Sequence, residues 1–140
     1  MEIFGNLAHG FSVALSFQNL IFVLIGALIG TAIGVLPGIG PVATISLLLP
    51  ITFGQPATTA IIMLAGIYYG AQYGGSTTAI LLNLPGEVSS VVTTLEGYKM
   101  ARNGRAGAAL ATAALASFFA GSVATLFVAA SGAPVRRPRR

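Results

Sequence analysis

The chain has 140 residues, of which 55% are hydrophobic and 7% charged, with a net charge of +4; an ordinary soluble domain carries roughly 25% charged residues. It has no cysteine, no aspartate and one histidine, His9. That inventory excludes a disulfide framework, a thiolate metal site and a Ser-His-Asp triad.

The placement of charge says more than its amount. Between Glu2 and Glu87 lie 84 residues without a single Asp, Glu, Lys or Arg, too little polar surface to keep a soluble fold of this size wet. The basic residues fall into two groups, Lys99, Arg102 and Arg105 beside a hydrophobic segment, and Arg136, Arg137, Arg139 and Arg140 at the end. This is a membrane-surface pattern and not a nucleic-acid footprint. The composition therefore predicts an all-α integral membrane protein with a mean hydropathy of +0.88, whose partner is the lipid bilayer and not nucleic acid.

The first dozen residues lack a basic n-region, so no cleaved signal is expected. A first span is predicted from Ser12 to Leu36, long enough for the roughly 20 apolar residues that a bilayer needs. It stops at Pro37-Gly38-Ile39-Gly40-Pro41, which a helix cannot pass intact. Val42–Phe53 is too short to cross alone. Pro50, Gly54 and Pro56 separate it from Ala57–Gly70, also short; the two form either one kinked crossing or a hairpin. The uncharged, polar stretch after Gly70 is expected to be broken backbone shielded from lipid. Residues 87–105 read as a surface loop or interfacial helix, with Glu96 and Lys99 spaced to pair and Asn103-Gly104 as a helix stop. A second span follows, from Ala106 to Ala130, rich in the small residues of closely packed helices.

The tail from 131 to 140 places positive charge at the far end of a span already flanked by Lys99, Arg102 and Arg105. The positive-inside rule cannot satisfy both ends. The tail is either a natural basic segment or, the preferred reading, the product of a frame or gene model that breaks near Ser131.

Glycines recur every fourth residue at Gly26, Gly30, Gly34 and Gly38, and again at Gly66, Gly70 and Gly74, the spacing that lets backbones approach. Both rows run towards a Leu-Pro-Gly stop, at 36–38 and 84–86. Paired broken segments point to a transporter site. The polar run offers the chemistry. Gly74-Gly75 permits backbone that aims N–H groups at a ligand, and Ser76, Thr77, Thr78 and Asn83 add short donors and acceptors. The same hydroxyls also suit plain bonds back to their own helix, and the sequence leaves these two readings open.

The motifs Leu36-Pro37-Gly38-Ile39-Gly40-Pro41, Gly66-Ile67-Tyr68-Tyr69-Gly70-Ala71-Gln72-Tyr73-Gly74-Gly75-Ser76-Thr77-Thr78 and Asn83-Leu84-Pro85-Gly86-Glu87 resemble the large membrane subunit of tripartite tricarboxylate transporters, the TctA family. Gly97-Tyr98-Lys99-Met100-Ala101-Arg102 and Gly104-Arg105-Ala106-Gly107 fit as well. The resemblance covers residues 1–130 as the N-terminal part of a permease domain, with Pro/Gly-broken, discontinuous or re-entrant segments.

The resemblance implies a multi-pass protein of the bacterial inner membrane. Its implied partners are a small membrane subunit and a periplasmic binding protein that delivers a small carboxylate such as citrate. Uptake would be driven by an ion gradient. Family members continue into further helices where this chain reads SGAPVRRPRR, a second reason to suspect the tail. The candidate substrate- or ion-binding residues are Pro37, Gly38, Gly40, Gln72, Tyr73, Gly74, Gly75, Ser76, Thr77, Thr78, Asn83, Pro85 and Gly86. No metal or cofactor is expected beyond Na⁺ or H⁺ as coupling ion. Because no carboxylate or histidine lies between residues 12 and 85, any proton-coupling group is expected outside this region. The competing readings are a membrane scaffold, whose glycine rows serve only helix association, and a pore lined by the Gly-Gly-Ser-Thr-Thr run. An enzyme lacks the side chains it would need.

Overall fold

A computed structural model describes residues 2–131; the tail from 132 to 140 lies outside the described residues. Every regular element among them is helical. Helix α1 spans Glu2–Ala14, α2 Phe17–Gly34, α3 Pro41–Leu48, α4 Ala57–Leu82, α5 Val91–Met100 and α6 Ala106–Ser131. Short 3₁₀ turns at Leu49–Thr52 and Val88–Ser90 extend α3 and precede α5.

The expected first span is two helices. The chain bends at Leu15-Ser16, where Ser16 is extended and caps α2. Asn19 Nδ2 crosses the bend to donate to the Val13 carbonyl at 2.8 Å. The following stop falls where expected, with Gly38 at φ +85° and Gly40-Pro41 opening α3, since proline at the first helical position lacks an N–H that would have no partner there.

The larger correction concerns α4. Residues 57–82 form one continuous helix of 26 residues, with no break in the polar run. Glycine costs about 1 kcal/mol against alanine inside a helix, and here tertiary packing overrides that preference. A Cβ added at Gly26 would lie 2.5 Å from the Met63 carbonyl oxygen, and one at Gly66 2.5 Å from that of Val23. Gly30 and Gly70 meet the carbonyls of Ile67 and Ala27 in the same way, as Gly34 and Gly74 meet those of Ala71 and Thr31. The contacts are reciprocal and ascend together along both helices, so α2 and α4 run parallel, side by side, with their glycine rows against each other.

Parallel neighbours need a return path between them. Residues 35–56 supply it through α3 and its 3₁₀ extension, and Phe53–Pro56, with Gly54 at φ +88°, turns the chain into α4. Leu48, Met63 and Ile67 form a small core where this return leg meets the pair, flanked by Phe22, Ile29, Ile33 and Ile45. The sequence left open whether 42–70 was a kinked crossing or a hairpin; α3 and α4 are joined by a turn.

After α4 the chain doubles back, and α5 packs Gly97 against Ile80. Asn103 and Gly104 leave helical geometry, Gly104 at φ +74°, as expected of a stop. Lys99 and Glu96 pair at 3.3 Å with both side chains largely exposed. Helix α6 then runs antiparallel to α4, placing Gly121 beside Tyr69. Much of its apolar surface is uncovered: Leu115, Phe118, Phe119 and Leu126 are each at least 66% exposed. Phe17–Gly34 and the stretch 88–129 are long and apolar enough to cross a membrane. A helix this apolar and this uncovered is stable in lipid or against other membrane helices, not in water. The chain is an all-α membrane fragment.

Candidate functional site at the two Leu-Pro-Gly turns

Because α2 and α4 are parallel and in register, both of their Leu-Pro-Gly stops arrive at the same end of the pair. The first turn leaves α2 at Val35, whose carbonyl accepts a hydrogen bond from Thr78 Oγ1 at 2.6 Å. Thr78 is buried and shares its hydroxyl with the Gly74 carbonyl at 3.3 Å. A carbonyl that α2 leaves without an intrahelical donor is thus satisfied from α4.

The second turn begins at Asn83, the C-cap of α4, held at φ 59°, ψ 26°. Asparagine tolerates this left-handed geometry better than most residues. The chain then folds back onto α4. A Cβ on Gly86 would lie 2.6 Å from Gly75 Cα, so Gly86 needs to be glycine for the contact, whereas a Cβ on Gly75 would sit at an ordinary 3.5 Å from Gly86 Cα. The next residue, Glu87, reaches the first turn, its Cβ 3.9 Å from where a Cβ on Gly40 would sit. Gly40 also accepts from buried Thr44, through both N–H and Oγ1 at 3.1 Å.

Of the candidate residues, Gly40, Gly74, Gly75, Thr78 and Gly86 therefore come together. Pro37, Gly38, Asn83 and Pro85 are exposed in the two turns themselves. The others face elsewhere. Ser76 and Thr77 donate to the carbonyls of Gln72 and Tyr73 at 3.3 and 3.1 Å, the back-bonding of helical hydroxyls. Gln72 donates to Tyr68 Oη at 3.1 Å. Tyr73 and Tyr69 line a separate cavity of about 760 Å³ between α1, α4 and α6, with Phe11, Ser117 and Thr125. The expectation that Gly74 and Gly75 aim N–H groups at a ligand fails for a simple reason: within a continuous helix those groups are taken up by the backbone ladder.

Two partners at the junction escaped the sequence reading. The Val35 carbonyl carries no side-chain signal. Glu87 did carry one, as the first charge after 84 neutral residues and directly behind a Leu-Pro-Gly turn.

The comparisons with known proteins agree with this architecture. The family model described as "Tripartite tricarboxylate transporter TctA family" matches residues 20–137, from α2 onward. The chain is 63% identical over 135 residues to an uncharacterized 52.8 kDa protein in the TAR-I ttuC′ 3′ region of Agrobacterium vitis, a match that covers 96% of this chain and 27% of that protein. The chain thus spans about a quarter of the length of this curated relative. No solved structure matches it. With glycine rows, paired turns and a family match across most of its length, the chain belongs to the tripartite tricarboxylate transporter TctA family.

Proposed function

We propose that this chain forms the N-terminal part of the permease subunit in a secondary, ion-gradient-driven carboxylate uptake system. In this reading it is a multi-pass component of the bacterial inner membrane. It works with a small membrane subunit and a periplasmic binding protein that delivers a citrate-like substrate. The observation that carries the proposal is the family match over residues 20–137. The geometry supports it, because two parallel helices that each stop at a Leu-Pro-Gly turn, with both turns at the same end, give the paired helix ends near which secondary transporters build their sites.

The junction of the two Leu-Pro-Gly turns is the part of the fragment proposed to take part in substrate or ion binding. Gly40, Gly74, Gly75, Thr78 and Gly86 form its floor, and Pro37, Gly38, Asn83 and Pro85 lie in the turns themselves. The scaffold alternative has less support, since both glycine rows are used against each other and present no free face to a partner.

The test is uptake in proteoliposomes. A full-length protein carrying this segment, reconstituted with the small subunit and the binding protein, should accumulate labelled citrate or a related carboxylate when an ion gradient is imposed without ATP. Failure to accumulate any di- or tricarboxylate under Na⁺ or pH gradients, with correctly inserted protein, sinks the permease reading.

A further inference from the structure

We propose that the groove between α1, α4 and α6 seats a further transmembrane helix, supplied by the part of the full-length protein outside this segment. The inference rests on the reading of the chain as part of a longer membrane subunit, and not on what that subunit carries. The curated relative shows how much chain is available, since the match covers 27% of it and leaves about three quarters of its length outside.

Helix α4 uses two faces. Gly66, Gly70 and Gly74 rest on α2, while Tyr69 and Tyr73, one turn apart on another face, form a wall of the groove. Helix α6 supplies the floor with Ala114, Ser117, Gly121 and Thr125, spaced by three, four and four. Small residues in such a row let a neighbouring backbone come close. At Gly30 and Gly70 a neighbour has done so. At Gly121 none has: a Cβ there would meet only Tyr69 Cε1, at 3.9 Å, among the described residues.

The size of the groove fits a helix. From Ala114 to Leu126 the floor runs about 18 Å at 1.5 Å per residue. A helix roughly 10–12 Å across, sunk to half its width over that length, fills about 700–1,000 Å³. The cavity holds about 760 Å³.

Its polar groups favour a helix over lipid tails. Ser122 and Thr125 donate to the Phe118 and Gly121 carbonyls of their own helix. The hydroxyls of Tyr73 and Ser117, which also line the groove, have no hydrogen bond among the described residues. Acyl chains offer them no partner, and an unsatisfied polar group in hydrocarbon is costly. A helix that turns a Ser, Thr, Asn or Gln side chain to the groove satisfies them.

The experiment places the photoreactive residue p-benzoylphenylalanine at Phe118, an exposed aromatic of the groove, in the full-length protein in its native membrane. Mass spectrometry then identifies the cross-linked peptides. The expected partner is an apolar stretch of about 20 residues in the same polypeptide, outside this segment. Products on phospholipid, on a second copy, on another subunit or only within residues 1–140 each overturn the proposal, as does the lack of any protein product. Gly121→Leu gives a second readout. Its side chain enters an open groove freely and collides with a docked helix, so the thermal midpoint of the full-length variant should fall by several degrees. An unchanged or raised midpoint overturns the proposal. Neither measurement reads transport, so a protein that accumulates no carboxylate sinks the permease reading and leaves the docked helix standing.

Discussion

Thr59 Oγ1 donates to Asn19 Oδ1 at 2.9 Å, a buried bond that joins the first turns of α2 and α4 across 40 residues of sequence. The glycine pairs Gly26/Gly66, Gly30/Gly70 and Gly34/Gly74 keep the same offset of 40 along both helices. The polar bond therefore sets at one end the register that the glycines hold along the rest. Asn19→Leu should destabilise the folded protein in detergent by about 1–2 kcal/mol, the range for buried interhelical hydrogen bonds. Combined with Thr59→Val, the loss should be smaller than the two single losses added together. Full additivity in denaturant titrations would show that the two residues are not coupled.

A methyl group at Gly30 or Gly70 meets the main-chain carbonyl of the facing helix, Ile67 or Ala27. A carbonyl in a helix cannot swing aside as a side chain can. Gly30→Ala and Gly70→Ala should each cost about 1–3 kcal/mol as the pair is forced apart. Gly107→Ala, where nothing lies within 4 Å, is the control and should leave stability unchanged or slightly raised. Equal thermal stability of all three variants would show that the helices are farther apart than described.

The hydroxyls of Thr77 and Thr78 differ in what they hold. Thr77 bonds only its own helix, whereas Thr78 also satisfies the end of α2 at Val35. Thr78→Val should therefore cost about 1–3 kcal/mol, because the part-buried Val35 carbonyl loses its donor. Thr77→Val should cost under about 1 kcal/mol. Thermal unfolding of the two variants side by side checks the order, and a reversed order contradicts the bond to Val35.

Asn83 is the one non-glycine at positive φ among the described residues. Asn83→Gly should be tolerated, while Asn83→Val places a β-branched side chain in left-handed backbone at a cost of about 1–3 kcal/mol. Comparable melting temperatures for the two variants would mean that the turn relaxes to another conformation.

Much of this was legible in the residues, and the misses have a common cause. Pro37-Gly38 and Pro85-Gly86 mark their stops because proline and glycine act on the backbone locally. The uncharged composition announced the membrane for the same reason, since it needs no partner to be read. The polar run misled because glycine and threonine look like helix breakers when judged alone. In place, Gly70 and Gly74 are where α2 rests, and the hydroxyl of Thr78 is aimed at Val35. The missed bend at Ser16 likewise depends on Asn19 reaching Val13, a contact that spacing does not predict. Glu87 escaped because its place beside Gly40 comes from Gly86 folding onto Gly75, a relation between positions 11 residues apart and not a property of either.

The parallel course of α2 and α4 bears on how such a protein enters a bilayer as it is made. In the multi-pass arrangement proposed above, both helices must thread in the same direction, so residues 35–56 are the only return. The return leg holds 8 residues of α-helix and 4 of 3₁₀ helix, about 20 Å in all against a hydrocarbon layer of about 30 Å. A segment that short is a poor substrate for insertion on its own. It is held in place by what arrives after it, as α4 closes over Leu48 and joins Thr59 to Asn19. Integration is then a late event, completed when α4 has left the ribosome, and chains halted before residue 82 should remain extractable from the membrane where longer ones do not.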